Sequence, residues 1–320
     1  MIDPVDRWSS HGYKPDYAGL PSFASRPWTE VPAELEGVDV AVLGAPTDDL
    51  VSDRPGTRFG PRAIRAAGGS PGTHLEAGID WGEALRVVDF GDAAVVPGDP
   101  VTSHAAIERL VGEVLGRGAV PIVLGGDHSI SEPNVRACAA VHGPLGLIHF
   151  DTHTDTAADA WGFPLSHGTP FRRLVEAGHV APERYVQIGL RGYWPGPQEL
   201  AWQRDAGVTS FFMHDVRELG IADVLERAVA AVGAGPAFMT VDVDVLDPSV
   251  APGTGTPEPG GMSAAELLCA VRGAAEALEL VGADVVEVLP LSHGGDDLTA
   301  LVANRVVCEL LTGLALRRRA

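Results

Sequence analysis

Histidine and aspartate side chains recur at three places in this sequence, each directly after a short apolar run. The three segments are Gly125-Gly126-Asp127-His128-Ser129, Asp151-Thr152-His153-Thr154-Asp155 and Thr240-Val241-Asp242-Val243-Asp244. In an extended chain, residues two apart project to the same side, so Asp151, His153 and Asp155 can converge. The same spacing lets Asp242 and Asp244 converge. The pattern predicts that imidazoles and several carboxylates meet in one crevice.

Carboxylates gathered in this way need compensating positive charge, because like charges repel and a buried ion costs several kcal/mol. Two divalent cations would balance four carboxylates, which favours a metal centre over an acid–base carboxylate pair. Carboxylates and imidazoles without a thiolate form a hard ligand set that suits manganese better than zinc. Two neighbouring ions would also lower the pKa of a shared water and make hydroxide available near neutral pH. Such a nucleophile suits an sp² carbon, for example that of a guanidinium group.

Each segment taken alone has a simpler interpretation. Asp242 and Asp244 could cap the loop after a strand, and Asp247 before Pro248 is predicted to be a turn residue. The histidines outside these segments are expected on the surface or in the core: His11, His74, His104, His142, His149, His179 and His214. The same ligand chemistry at three separate strand ends favours the metal site.

The elements that would position these residues alternate along the whole chain. Short β-branched runs predict eight strands: Val38–Gly44, Arg86–Phe90, Val120–Gly125, Leu145–Phe150, Tyr185–Leu190, Thr209–Met213, Ala237–Val243 and Gly282–Leu289. Helix-like stretches lie between them, including Val101–Arg117, Glu132–Val141, Ala222–Val232, Ser263–Ala277 and Asp297–Arg317. This alternation predicts one three-layer α/β/α domain over residues 1–320, with a mainly parallel sheet of about eight strands. Residues 1–36 are expected to pack on it as an N-terminal extension. In such sheets ligands bind beyond the carboxyl ends of the strands.

Composition excludes several classes of function. A net charge of −20 argues against nucleic acid as a partner, because phosphate binding needs a basic patch. The three cysteines, Cys138, Cys269 and Cys308, are too sparse for a disulfide framework and are expected to be buried and reduced. The N-terminus lacks the apolar stretch of a signal peptide, and charges interrupt the apolar runs before they could span a membrane. A cytoplasmic location is therefore expected.

These motifs, in this order and spacing, resemble the ureohydrolase family, which includes arginase, agmatinase, guanidino-acid hydrolases and proclavaminate amidinohydrolase. The resemblance covers nearly the whole chain, from Arg54-Pro-Gly-Thr-Arg-Phe-Gly-Pro-Arg62 to Asp284-Val-Val-Glu-Val-Leu-Pro290. It implies an arginase-like fold, two Mn²⁺ ions per subunit, and hydrolysis of a guanidino group to urea and a primary amine. Relatives form trimers or hexamers, so the resemblance also implies a homo-oligomer.

The resemblance implies a role for each matching residue. His128, Asp151, Asp155 and Asp242 would bind one manganese, and His153, Asp151, Asp242 and Asp244 the other, with Asp151 and Asp242 bridging. His167 matches the proton-shuttle histidine, Glu287 the glutamate that pairs with the guanidinium, and Thr256 the threonine that supports this glutamate. Asp244 would also stabilise the tetrahedral intermediate.

The sequence says less about the substrate. The segment Arg191-Gly-Tyr-Trp-Pro-Gly196 differs from the acidic segment of arginases, which favours an agmatinase with a guanidino-acid hydrolase as the alternative. Arg172, Arg173 or Arg191 could meet a substrate carboxylate. The aromatic residues expected beside the crevice are Trp161, Phe163, Tyr193 and Trp194. A deacetylase of related fold would lack the Gly-Gly-Asp-His segment, and a non-catalytic binding protein would be expected to have lost a ligand.

Overall fold

Parallel strands form the centre of the molecule. The computed structural model describes residues 18–69, 71–194, 196–291 and 297–319. Their strands are β1 (Val40–Ala45), β2 (Val87–Asp92), β3 (Val120–Gly125), β4 (Leu145–Phe150), β5 (Val180–Leu190), β6 (Thr209–Phe212), β7 (Pro236–Asp242) and β8 (Glu279–Val286). All pairs are parallel, and the order in the single eight-stranded sheet is β2-β1-β3-β8-β7-β4-β5-β6.

The sequence prediction of a parallel, eight-stranded sheet is confirmed, and strands β3 and β4 have the predicted ends. The last strand was predicted three residues too far along the chain: it spans Glu279–Val286 instead of Gly282–Leu289. Its apolar run continues into Val288 and Leu289, but the backbone leaves the sheet at Glu287, which has a positive φ of 63°. Glu287 therefore follows the end of a strand.

Helices cover both faces of the sheet. They are α1 (Gly60–Ala66), α2 (Trp81–Ala84), α3 (Pro100–Leu115), α4 (Ser131–His142), α5 (Pro170–Glu176), α6 (Pro197–Ala206), α7 (Met213–Leu219), α8 (Ile221–Val232), α9 (Ala264–Ala277) and α10 (Leu298–Arg319). Helices α1, α8, α9 and α10 pack against one face of the sheet, and helices α3, α4 and α5 pack against the other. The fold is thus the three-layer α/β/α arrangement that the sequence predicts.

Alternation along the strands divides the core between these two faces. In β1, Val40 and Val42 join the cluster on one face, while Ala41 and Leu43 join the cluster on the other. Every residue of β1 is buried. A strand covered on both sides must be apolar throughout, which explains the continuous apolar runs in the sequence.

The described part of the N-terminal segment packs against β2. The Arg65 guanidinium binds both carboxylate oxygens of Asp89, at 2.8 and 2.9 Å. Asp89 also accepts a hydrogen bond of 2.7 Å from the backbone N–H of Phe23, which is fully buried. This buried ion pair therefore joins residues 18–36 to the sheet, and residues 1–17 lie outside the described part.

Two further sequence predictions need correction. Cys138 and Cys308 are buried as expected, but Cys269 is exposed because it lies on the solvent side of α9. Helix α10 is long and apolar enough to cross a membrane by length and composition, although charges were expected to prevent this. Within the protein, 78% of its most apolar window is buried, as expected for a helix that packs in a core.

His104 in α3 makes stability depend on pH. The side chain is buried, and its Nε2 lies 3.0 Å from Ser129 Oγ. Burial lowers the pKa of His104 to about 4; Glu132 opposes this shift, and Arg136 and Arg173 add to it. The folded protein therefore keeps this imidazole neutral at pH values where the unfolded chain is protonated.

We expect the free energy of unfolding to decrease as pH falls from about 6.5 to about 4, by about 3 kcal/mol from this group. At pH 7 both states are neutral and the contribution is fully present. Urea unfolding at pH 7 and pH 4.5 in excess chelator, with wild type and His104→Gln, isolates the effect. The variant should lose less stability than wild type on acidification; parallel losses would contradict the assignment.

Candidate metal centre and active site

The predicted site residues meet at the carboxyl edge of the four central strands, β3, β8, β7 and β4. His128 follows β3 in the 3-10 turn His128–Ile130, and Asp151 directly follows β4. Asp242 is the last residue of β7, and Glu287 directly follows β8. Because neighbouring parallel strands end at the same edge, residues far apart in sequence become neighbours in the crevice.

Three carboxylates surround the buried ring of His128. Its Nδ1 lies 3.1 Å from Asp151 Oδ2, 3.0 Å from Asp155 Oδ2 and 3.2 Å from Asp242 Oδ2. None of these contacts is aligned as a hydrogen bond, so Nδ1 is a buried polar atom without a hydrogen-bond partner. One nitrogen and three oxygens that face a common point without a proper hydrogen bond fit the coordination of a cation.

A second cluster lies next to the first. His153 Nδ1 is 3.0 Å from Asp244 Oδ2 and 3.6 Å from Asp151 Oδ1. Asp151 therefore turns one oxygen toward each histidine, as expected for a bridging ligand. Asp242 presents Oδ2 to the first cluster, while its Oδ1 accepts a hydrogen bond of 2.8 Å from the Asp244 backbone N–H.

The electrostatics of both clusters indicate a shortage of positive charge. Burial lowers the pKa of His128, but its three carboxylate neighbours raise that pKa well above the usual value. Burial, together with Asp244 and Asp151, raises the pKa of Asp242 well above its usual value. Burial and the nearby Asp151 raise the pKa of Asp244 to about 6. A divalent cation in each cluster would relieve this repulsion.

The backbone is strained at two of these positions. Asp155 has a φ of 49° and Glu287 a φ of 63°, and such a conformation costs about 1–3 kcal/mol at a residue other than glycine. Close approach also requires Gly126, where a Cβ atom would lie 2.2 Å from Thr47 O. Strain of this kind persists where the surrounding structure fixes the backbone, and it is typical of functional sites.

Glu287 and His167 form a pair beside the metal ligands. Glu287 Oε1 accepts a hydrogen bond of 2.9 Å from the His128 backbone N–H and lies 2.9 Å from His167 Nδ1. Burial lowers the pKa of His167, but the hydrogen bond and charge of Glu287, together with the charges of Asp155 and Asp127, raise it to about 9. On the other side of the ring, Nε2 lies 2.7 Å from Ser52 Oγ and 3.1 Å from Ser52 N. The hydroxyl can accept from a protonated ring, and the backbone N–H can donate to a neutral one.

The threonine predicted to support Glu287 has another partner. Thr256 Oγ1 donates to Asp244 Oδ2 at 3.4 Å. The neighbouring Gly255 faces Glu287 instead, because a Cβ there would lie 3.7 Å from Glu287 Oε2. That oxygen is buried and has no hydrogen-bond partner. Glu287 thus has one buried carboxylate oxygen without a hydrogen-bond partner in the described part of the chain.

Sequence reasoning assigned no site role to His149 and Ser52. His149 Nε2 lies 2.8 Å from Asp151 Oδ2, and its spacing of two residues from Asp151 within an extended segment could have indicated this contact. Ser52 reaches His167 from 115 residues away in the chain, so no local pattern could show it. Asp247 accepts hydrogen bonds from Ser249 and Gly260 and is a turn residue, as predicted.

A cavity of about 540 Å³ opens above these residues. Its lining includes metal-ligand candidates, His167, two aromatic side chains and three further carboxylates. These lining residues are His153, Asp155, His167, Asp242, Thr256, Trp161, Trp194, Asp53, Asp159 and Glu199. Trp161 and Trp194 thus lie where the sequence places aromatic residues, and Tyr193 borders a smaller adjoining cavity. Phe163 is exposed and is not among the residues that line either cavity.

Comparisons with known proteins show which family and which proteins this chain is similar to. Residues 38–313 match the model of the Arginase family. The chain is 43% identical over 303 residues to guanidinopropionase of Pseudomonas aeruginosa, covering 94% of this chain and 93% of that protein. It is 39% identical to agmatinase of Chromobacterium violaceum, covering 92% and 88% of the two chains. The solved structure of proclavaminate amidinohydrolase from Streptomyces clavuligerus superposes with a TM-score of 0.89 at 38% identity, covering 95% of this chain and all of that one.

The two clusters predict separable metal positions, because Asp155 faces only the His128 cluster and Asp244 faces the His153 cluster. We expect Asp155→Asn and Asp244→Asn each to reduce tightly bound manganese from about two equivalents to about one. Elemental analysis after dialysis measures this stoichiometry. Asp247→Asn, at an exposed turn outside both clusters, is the control and should keep the wild-type content. Unchanged content in both cluster variants would show that these carboxylates are not ligands.

Proposed function

The chain belongs to the arginase family, and on that premise we propose that it is a two-manganese agmatinase, which hydrolyses agmatine to urea and putrescine. Family membership makes the protein a metal-dependent amidinohydrolase that acts on the guanidino C–N bond of a small substrate. The observation that carries the choice of agmatine is the charge of the cavity: among the described residues, its lining offers carboxylates and neither lysine nor arginine to the far end of the substrate.

The ligand set proposed for manganese is His128, Asp151, Asp155, Asp242, His153 and Asp244. Bound there, two Mn²⁺ ions would act as Lewis acids and would lower the pKa of a water molecule. The hard oxygen and imidazole ligands fit this ion, and the orphaned Nδ1 of His128 fits a metal–nitrogen bond.

Glu287 is proposed to hold the guanidinium. Its Oε1 is occupied by His128 N–H and His167, whereas the buried Oε2 lacks a partner. A charge-assisted hydrogen bond from a guanidinium N–H would satisfy Oε2. The cation would then lie near Gly255, whose neighbour Thr256 donates a hydrogen bond to Asp244 Oδ2. In this position the guanidinium carbon is held next to the metal ligands.

His167 is proposed to deliver a proton to the departing amine. The ring lies in the cavity lining, with Nδ1 on Glu287 and Nε2 on Ser52. A pKa raised to about 9 keeps the ring protonated near neutral pH before reaction. Proton transfer to the amine nitrogen and hydration of the guanidino carbon together yield urea and the primary amine.

Carboxylates surround the remaining part of the cavity. Asp53, Asp159 and Glu199 line it, and among the described residues none of the lining side chains is lysine or arginine. The aminobutyl group of agmatine carries a positive charge that these carboxylates attract. The carboxylate of a guanidino acid would meet repulsion from the same groups. Trp161 and Trp194 add apolar and cation–π surface beside the aliphatic chain.

The three arginines considered for a substrate carboxylate are already engaged. Arg172 pairs with Glu176 at 2.8 Å. Arg173 binds both carboxylate oxygens of Glu132, at 2.8 and 3.1 Å. Arg191 donates to backbone carbonyl oxygens at distances of 2.6–3.2 Å. Redirecting any of them to a substrate would break existing contacts, which disfavours a guanidino acid.

A guanidino acid remains the alternative substrate, because guanidinopropionase and guanidinobutyrase are among the relatives at 43% and 35% identity. We also propose, from the same family relationship, that the protein is a cytoplasmic homo-oligomer, a trimer or a hexamer. Size-exclusion chromatography with light scattering would measure the assembly directly.

Urea release by the manganese-loaded protein tests the substrate proposal. Agmatine, 4-guanidinobutyrate, 3-guanidinopropionate, arginine and free guanidine are compared, with a chelated sample as control. We expect kcat/KM for agmatine to exceed that for either acid by at least about tenfold, since attractive and repulsive charge contacts each contribute up to about 1 kcal/mol. Faster turnover of a guanidino acid would show that the substrate is a guanidino acid and not agmatine. No chelator-sensitive urea from any compound would reject all of these substrates.

The carboxylates that line the cavity can be tested separately. We expect the double variant Asp159→Asn/Glu199→Gln to raise KM for agmatine roughly fivefold with kcat nearly unchanged, because an exposed charge pair contributes up to about 1 kcal/mol. Glu218→Gln changes an exposed carboxylate that is not part of the cavity lining and serves as the control. Equal KM values in the double variant and wild type would remove these two residues from substrate recognition.

The role of His167 has its own test. We expect His167→Ala to lower kcat roughly 10²- to 10⁴-fold, the usual range for loss of a positioned acid. Its ring is not among the metal contacts, so bound manganese should remain at the wild-type level. Elemental analysis and steady-state kinetics on the same preparation separate the two effects. If metal content fell in step with kcat, the proton-transfer role would be wrong.

A further inference from the structure

We infer that His149 is a positioning residue, which fixes the orientation of the bridging Asp151 carboxylate through a directed chain of buried hydrogen bonds. The inference rests on the proposed metal centre. His149 lies in β4 and is fully buried, and it does not reach the cavity. Its effect on the metals would therefore pass through the proposed ligands that it contacts, and its hydrogen bond goes to Asp151.

Asp151 receives one protein donor on each oxygen. The His153 backbone N–H donates to Oδ1 at 2.6 Å, and His149 Nε2 lies 2.8 Å from Oδ2. Each oxygen also faces one metal cluster, Oδ1 toward His153 Nδ1 and Oδ2 toward His128 Nδ1. Two donors on opposite oxygens fix the rotation of the carboxylate about its Cβ–Cγ bond. Without the His149 donor, only the backbone N–H would hold it.

The hydrogen bonds behind His149 determine which ring nitrogen carries the proton. Its Nδ1 lies 2.9 Å from Tyr185 Oη and 3.0 Å from Gln187 Nε2. The Gln187 amide orientation is fixed, because Nε2 donates to the carbonyl of Thr154 at 2.7 Å. On the other side of the ring, Nε2 faces the Asp151 carboxylate, which can only accept when ionised, so Nδ1 is left as the acceptor toward Tyr185. The proton of the neutral ring then lies on Nε2, where it donates to Asp151.

The chain of donors continues in one direction. Gln203 Nε2 donates to Gln187 Oε1, and Gln187 Nε2 donates to Tyr185 Oη at 2.9 Å. Tyr185 Oη then donates to His149, and His149 donates to Asp151. All four residues behind Asp151 are buried. In a low-dielectric interior such a chain is stronger than its separate members and leaves the ring one orientation.

Packing also restricts the ring. Its centroid lies 4.2 Å from that of Phe171, and it contacts the ring of His128 edge to face at 5.1 Å. A residue needed only to fill this volume would have no requirement for a donor at Nε2. The competing explanation, a purely structural core histidine, therefore predicts that metal affinity is independent of that donor once the protein is folded.

Two variants that differ by one methylene separate these explanations. In His149→Gln the amide extends to the position of Nε2, so it can donate to Asp151 but gives up the acceptor at the Nδ1 position. In His149→Asn the amide reaches only the position of Nδ1, which keeps the Tyr185 and Gln187 contacts and loses the Asp151 donor. We expect the Asn variant to bind Mn²⁺ roughly 10- to 100-fold more weakly, and the Gln variant to stay within a few-fold of wild type.

Calorimetric titration of the metal-free proteins with Mn²⁺ measures these affinities without any substrate. His74→Asn is the matched control, because His74 Nε2 lies 2.9 Å from a carboxylate oxygen of Glu309 outside the metal clusters. It should retain wild-type affinity. Equal affinities of folded His149→Asn and wild type would overturn the inference, and so would equal weakening of the Asn and Gln variants.

A measurement on the unaltered protein covers the case in which His149→Asn does not fold. Imidazole ¹⁵N spectra of histidine-labelled, metal-free protein report which nitrogen is protonated, and His149→Gln assigns the signal. Nε2–H is expected, whereas a proton on Nδ1 would overturn the inference. Failure of the proposed function is distinguishable, because then wild type itself would bind no Mn²⁺ or release no urea.

Discussion

The mutual repulsion of four carboxylates, from Asp151, Asp155, Asp242 and Asp244, is the constraint on which the site depends. They lie at the ends of the two central strands β4 and β7, with His128 and His153 between them. Burial makes their charge more costly, and the raised pKa values of Asp242 and Asp244 express that cost. A cation bound at this edge would lower the free energy of the folded protein, which would couple metal binding to folding.

The backbone fixes the positions of the candidate ligands without the help of a bound cation. Asp155 and Glu287 keep positive φ angles, and Gly126 allows the chain after β3 to pass against Thr47. Each of these features costs free energy locally and is retained because the sheet and the surrounding loops fix the chain on both sides. The result is a preorganised set of ligands, in which a bound ion and a guanidinium meet groups that need little rearrangement.

Much of this arrangement follows from local sequence. Apolar runs such as Val120–Gly125 predicted buried parallel strands, and the residues after them were predicted ligands because parallel strands share one carboxyl edge. The strand order could not be predicted, since it depends on packing between distant segments. For the same reason Ser52 was missed beside His167, and the Thr256 hydroxyl was assigned to Glu287 although it lies on Asp244. A positive φ at Glu287 ended β8 within a run that continues to be apolar.

In the proposed function, the residues that select the substrate lie in a different part of the molecule from the residues that carry out hydrolysis. The proposed guanidinium contact, Glu287, directly follows β8, so the sheet determines its position. The opposite end of the substrate would meet loop residues, Asp159 before Trp161 and Glu199 after Trp194. Loops can change charge at little cost to the core, so relatives of similar identity can act on amines or on acids. The proposal of agmatine therefore depends on the negative charge of this cavity and not on overall identity, which is 43% to guanidinopropionase.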